Sequence, residues 1–167
     1  MNIFLLDKNI TKCAQYHCDQ HVVKMILEST QILCTVSYLH GLFVPYKPSH
    51  QKHPCTIWAG SSLDNWLWLK ELVNALNDEY KYRYEASKNH KSFEVAVKLK
   101  KPHLEQLGLL DHPQVMPDEY KIPGNPVRAY RNFYRGSKSK FATWRKGNIP
   151  TWFIKWILET IVSSMRK

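Results

Sequence analysis

A chain of 167 residues that is 44% hydrophobic and 13% aromatic can bury one substantial core but not two comfortable ones, so a single domain spanning 1–167 is expected. Lys and Arg outnumber Asp and Glu by 24 to 14, a formal charge of +10, which favours a polyanionic partner, nucleic acid ahead of an anionic membrane surface. No run of eighteen apolar residues occurs, so no membrane span is expected.

In chain order, the first apolar run is Ile3 to Leu6, too short for a secretory h-region and without a basic segment before it, so a cytoplasmic chain is expected. From Ile10 to about Leu39 the pattern is helical without Pro or Gly, with Asn9 or Thr11 as cap and Gly41 near the exit. GLFVPYKPSHQKHPCT follows, and its three prolines predict an irregular loop. A second long helix is predicted from Ser61 or Ser62 to about Tyr84, and a short one from Phe93 to Lys101, stopped by Pro102. GLLDHPQVMPDEYKIPG reads as irregular. Asn125 and Pro126 supply a cap and a first helical position for a helix closed by Gly136, and a last helix starts at Pro150 with Trp152, Phe153, Trp156, Ile157 and Ile161 on its apolar side. No alternating strand pattern stands out except at Ile3 to Leu6. The expected fold is an all-α bundle of about five helices with long Pro-rich loops. Cys13, Cys18, Cys34 and Cys55 form no CxxC pair and are read as free thiols.

The segment CAQYHCDQHVVKMILESTQ, Cys13 to Gln31, concentrates the chemistry. On a helix, Cys13, His17, Gln20, His21, Lys24, Glu28 and Gln31 fall within roughly 100° of arc, while Val22, Val23, Met25, Ile26, Leu27 and Leu33 occupy most of the rest. A narrow strip carrying both acid and base on an otherwise apolar helix suits the wall of a cleft, and converging titratable groups are what acid-base chemistry requires. The plain alternative is histidines satisfied at a helix interface and an ordinary Lys24–Glu28 pair one turn apart. A metal site is a further alternative: Cys13, His17 and His21 step by four, and His50, His53 and Cys55 of HQKHPC could complete a shell. Neither HExxH nor the H-x-E with PCxxC signature is present, so no metal and no other cofactor is assigned.

A second region, NPVRAYRNFYRGSKSKFATWRK, holds Arg128, Arg131, Arg135, Lys138, Lys140, Arg145 and Lys146 without one acid. Arg128, Arg131 and Arg135 share a helical face, and the interleaved Tyr130, Phe133, Tyr134, Phe141 and Trp144 are core anchors or stacking platforms. A cationic face ending in a Gly-Ser-Lys turn suits phosphate, so these seven residues are the expected nucleic-acid contacts.

DQHVVKMILE, Asp19 to Glu28, resembles the DQH segment of the pyrimidine-dimer DNA glycosylase (endonuclease V) family, in which a glutamate follows the histidine after the same interval of seven. Pro150, Thr151 and Trp152, with Phe153 behind them, are similar to that family's PTW motif. The whole sequence is also similar to small phage proteins carrying HCDxHVVKM, HPC and MPDEYK segments. The resemblance implies a compact all-α enzyme, encoded largely by phages and viruses, that flips a nucleotide and cleaves the glycosylic bond through an imine, with abasic-lyase activity. It implies Glu28 as the carboxylate that handles the sugar oxygen and the imine, with His21 beside it; His17 joins the candidate catalytic residues from the helical strip alone. The family's nucleophile is an α-amine exposed when Met is removed before a small residue. Asn2 is not small, so here the amine of Met1 would serve, or Lys24 if burial lowers its pKa. Leu27, Ser29 and Thr30 stand where the family has arginines, so its target lesion is not carried over.

The reading is therefore a DNA glycosylase and abasic-site lyase, acting as a monomer on double-stranded DNA. Its alternatives are a nucleic-acid or nucleotide modifying enzyme of another chemistry, metal-assisted chemistry included, and a non-catalytic nucleic-acid-binding module.

Overall fold

A computed structural model describes residues 1–147 and 149–166. Seven α-helices are built among them: α1 (Ile10–Tyr16), α2 (Asp19–Leu39), α3 (Pro54–Gly60), α4 (Leu63–Tyr84), α5 (Lys91–Lys98), α6 (Pro126–Phe133) and α7 (Thr151–Met165). None of the described residues joins a strand, Ile3 to Leu6 included. The all-α expectation holds.

Local chemistry explains most boundaries. Ser62 caps α4 through its hydroxyl on the Asp64 amide, His90 caps α5 through its ring on the Ser92 amide, and Asn125 caps α6 with Pro126 in the first turn. Three departures from the sequence reading have identifiable causes. The predicted helix Ile10 to Leu39 is two helices, because His17 and Cys18 are extended. The buried guanidinium of Arg83, reaching in from α4, takes up the carbonyls of Gln15 at 2.7 Å and His17 at 2.8 Å, which satisfies the groups that a continuous helix would have bonded internally. The Pro-rich loop is not irregular throughout: Pro54 sits at the start of α3, where a missing N–H costs nothing, and the His53 ring caps that helix. Gly136 does not close α6, since the chain continues through it in a wider helical turn, Tyr134–Lys138.

α2 lies at the centre, packed by α3, α4 and α5, and α1 lies against α4. Val22, Met25, Ile26, Ile32, Leu33 and Val36 of α2 meet Trp66, Leu69, Leu72, Val73 and Leu76 of α4 in one core. By length and composition α2 is also apolar enough to cross a membrane, contrary to the expectation from run length, because Ser, Thr and Cys dilute its apolar residues without charging it; 61% of that window is buried inside the protein, the mark of a core helix. α7 is anchored at its start, where Phe153 is buried against Trp144 and Trp152 packs on Tyr16 and Tyr134. Ile157 and Ile161, expected on a buried side, are exposed.

Candidate active site at the chain start

Glu28 is placed near the middle of α2 by the apolar faces of the two turns before it, and its side chain is 13% exposed. Three nitrogen groups converge on this one carboxylate. The backbone N–H of Asn2 donates to Oε2 at 2.9 Å, the terminal ammonium of Met1 lies 3.8 Å from the same oxygen, and Lys24 Nζ is 3.5 Å from Oε1. The chain start is held there by Asn2, whose side-chain amide donates to the Val115 carbonyl at 2.8 Å and accepts from the Tyr130 hydroxyl at 3.0 Å. Tyr130, buried on α6, also bonds the Pro113 carbonyl. Segments far apart in sequence thus fix the terminal amine beside an acid.

His53 belongs to the same neighbourhood. Its Nδ1 accepts the Cys55 N–H at 3.2 Å, which leaves Nε2 as the protonated nitrogen of the neutral ring. Burial lowers its pKa, the Met1 ammonium and His50 lower it further, and Glu28 acts in the opposite sense. Cys55, in the first turn of α3, lies 3.8 Å from Asn2 Oδ1, and burial pushes its thiol up to about 12, so it is not a thiolate nucleophile.

The predicted strip divides in two. Lys24 and Glu28 face the chain start. Lys24, however, is 66% exposed, so the burial that would free its amine is absent. His21 does not lie beside Glu28: two turns away, about 10 Å along the axis, it is buried, stacks on Phe4 at 4.5 Å and shares a 2.5 Å hydrogen bond with the Tyr134 hydroxyl. Burial takes its pKa down to about 3. His17 falls at the break between α1 and α2, fully buried, with Nδ1 donating to the Cys13 carbonyl at 2.7 Å and its pKa lowered by burial to about 4. Both are neutral core histidines.

The metal alternative finds no geometry. Cys13 donates its thiol to the Phe4 carbonyl and is pushed by burial to about 11, and among the described residues no three His, Cys, Asp or Glu side chains are grouped to hold an ion.

The basic run is also divided. Arg131 is turned inward: it donates to the Leu6 carbonyl at 2.8 Å, pairs with Asp7 at 2.9 Å and lies over Tyr16 and Trp152. Arg135 donates to the Trp152 carbonyl, and burial lowers its pKa. Lys138 lies over Phe133, Arg145 over Tyr84, and Lys146 pairs with Glu85 at 3.0 Å. Arg128 and Lys140 are exposed. Most of these charges hold α6, α7 and the linking loop to the body, and the i, i+3, i+7 spacing that put three arginines on one face could not reveal that two of them, Arg131 and Arg135, meet protein.

Sequence reasoning missed the positioning roles of Asn2 and Tyr130, naming Tyr130 only as a core anchor or stacking platform, and placed His53 only in a candidate metal shell. Asn2 was weighed only by size, although an amide with donors and acceptors next to the terminus is a residue able to pin it.

The model of the family described as pyrimidine dimer DNA glycosylase matches residues 1–92, which include Met1, Asn2, Lys24, Glu28 and His53, and exclude the basic run and α7. No curated protein and no solved structure matches the chain. A family match over more than half of 167 residues, with the terminal amine and Glu28 both inside it, places this chain in the pyrimidine dimer DNA glycosylase family.

Proposed function

We propose that the protein is a DNA glycosylase and abasic-site lyase that works through an imine at its own N-terminus. The observation that carries this reading is the terminal nitrogen held 3.8 Å from Glu28 by a chain start pinned at Asn2. An amine that has lost its proton attacks C1′ of the target nucleotide. The N–C1′ bond forms, the glycosylic bond breaks, and the base leaves with the bonding electrons and a proton. Glu28 stabilises the positive charge that grows on C1′, takes a proton from the attacking amine and returns it to O4′ as the C1′–O4′ bond breaks, which opens the sugar and gives the iminium. Loss of a C2′ proton with cleavage of the C3′–O bond completes the lyase step, and water releases the enzyme. Asn2, held through Tyr130 and Val115, keeps the nucleophile within reach, which is a positioning role.

The test is borohydride treatment of the protein, with an untagged N-terminus, on a duplex bearing one abasic site, followed by peptide mass mapping. The expected result is a covalent adduct on the terminal amine. An adduct on Lys24 moves the nucleophile to α2 with the same chemistry, and binding without any adduct rejects the imine.

A further inference from the structure

We propose that the loop between α2 and α3 is the edge on which this protein docks onto duplex DNA, with Phe43 entering between base pairs and Lys47 and Lys52 resting on flanking phosphates. This rests on the DNA reading above and says which surface performs the binding.

Phe43 is 95% exposed, an extreme position for a large aromatic side chain, and Tyr38 and Leu39 just before it are about half exposed. The loop is nonetheless firmly held. Gly41, at φ 77°, turns the chain off α2, where the Leu42 N–H donates to the Ser37 carbonyl and the Gly41 N–H to that of Tyr38. Beyond it the residues alternate: Val44 and Tyr46 pack against the core, while Phe43, Pro45 and Lys47 face outward. The Tyr46 hydroxyl donates to Ser92 Oγ at 3.0 Å, and the returning limb is pinned where Thr35 Oγ1 and Ser49 bond each other at 3.2 Å. The apolar tip is thus presented on a braced support, as a wedge must be to unstack bases.

Charge selects the partner. From Ser29 to Leu63 the chain has no Asp or Glu, while it carries Lys47, Lys52, His40, His50 and His53. Lys47 and Lys52 are exposed, as is Lys91 next to the Ser92 that braces the loop. Phe43 and Lys47 are both exposed on this loop, four residues apart, so an inserted ring and a phosphate contact can coexist. The C-terminal basic run, by contrast, spends Arg131 on Asp7 and Lys146 on Glu85. The loop also leads to the site: four residues after Ser49 the chain reaches His53, whose titration both the Met1 ammonium and Glu28 influence.

The experiment compares wild type, Phe43→Ala and the Lys47→Gln/Lys52→Gln double variant on an abasic duplex carrying 2-aminopurine at successive positions beside the lesion. Binding, its salt dependence, fluorescence and borohydride trapping are all recorded. Phe43 covers nothing, so Phe43→Ala is expected to melt as wild type does, bind duplex about tenfold more weakly with an unchanged salt slope, and lose the fluorescence rise that reports unstacking. The double lysine variant is expected to lower the salt slope by about two contacts. Wild type that binds and traps, with Phe43→Ala binding, trapping and fluorescing identically, overturns the docking edge alone. Wild type that binds no duplex overturns it together with the function. The third arm offers vesicles rich in phosphatidylserine. Phe43-dependent vesicle binding with DNA binding unaffected overturns the proposal in favour of a lipid surface.

Discussion

Glu28 collects an amide N–H, an ammonium and a lysine on a single carboxylate, and each contact loses its purpose if the charge is removed. Glu28→Gln keeps the shape and an oxygen for the Asn2 N–H, so folding and duplex binding are expected to stay within about twofold of wild type while trapping and turnover disappear. Retained trapping would reject the assigned role. Arg131 makes the opposite case. Its guanidinium is already engaged by Asp7, the Leu6 carbonyl and two aromatic rings, so a DNA phosphate would have to displace partners that are in place. Arg131→Ala is therefore expected to lower stability by about 1–3 kcal/mol, through an orphaned carbonyl and carboxylate, and to leave the salt slope of DNA binding unchanged. A slope reduced by one contact would return Arg131 to the footprint.

At the scale of elements, the junction of α1 with α2 decides where the DQH segment points. Arg83 bonds Glu79 at 2.6 Å, Asp19 at 3.1 Å and two carbonyls, all in the buried interior, and Asp19 in turn accepts the Thr143 hydroxyl and the Arg145 N–H. The aspartate of DQH is therefore a tie between α2, α4 and the loop before α7. Arg83→Met would take the guanidinium away from two buried carboxylates, at a cost of about 3–5 kcal/mol, and chemical denaturation is expected to show that loss. A loss under about 1 kcal/mol would mean that other groups compensate the acids. The break at His17 was not legible in the sequence because the apolar period runs on through it, and the group that ends α1 lies on α4. The caps at Ser62 and Asn125 were legible because cap, first turn and apolar pattern lie within a few consecutive residues.

Across the whole molecule, three buried neutral histidines tie stability to pH. Burial holds His17 and His112 at about 4 and His21 at about 3, below the 6.5 of an exposed ring. Below pH 6.5 the unfolded chain takes up protons that the folded chain refuses, so stability is fully present above that value and falls as the pH drops toward 4. The loss approaches about 1.4 kcal/mol per pH unit for each ring. Urea midpoints are expected to decline steadily from pH 7 to pH 5, with close to three protons taken up on unfolding at the acid end. A midpoint independent of pH would mean that these rings charge without unfolding.

Periodicity, capping residues and composition by themselves determined an all-helical protein, the caps of α4 and α6, the pairing of Lys24 with Glu28 one turn apart, and a net charge suited to a polyanion. All of these depend on residues close in sequence or on sums over the chain. Tertiary structure decided which of the titratable groups meet. It turned His17 and His21 into core residues, brought Met1 to Glu28 through Asn2, Val115 and Tyr130, added His53, and turned Arg131 from solvent onto Asp7. The physical reason is that a helical period tells which residues share a face, whereas what that face meets depends on contacts between segments separated by up to 128 residues.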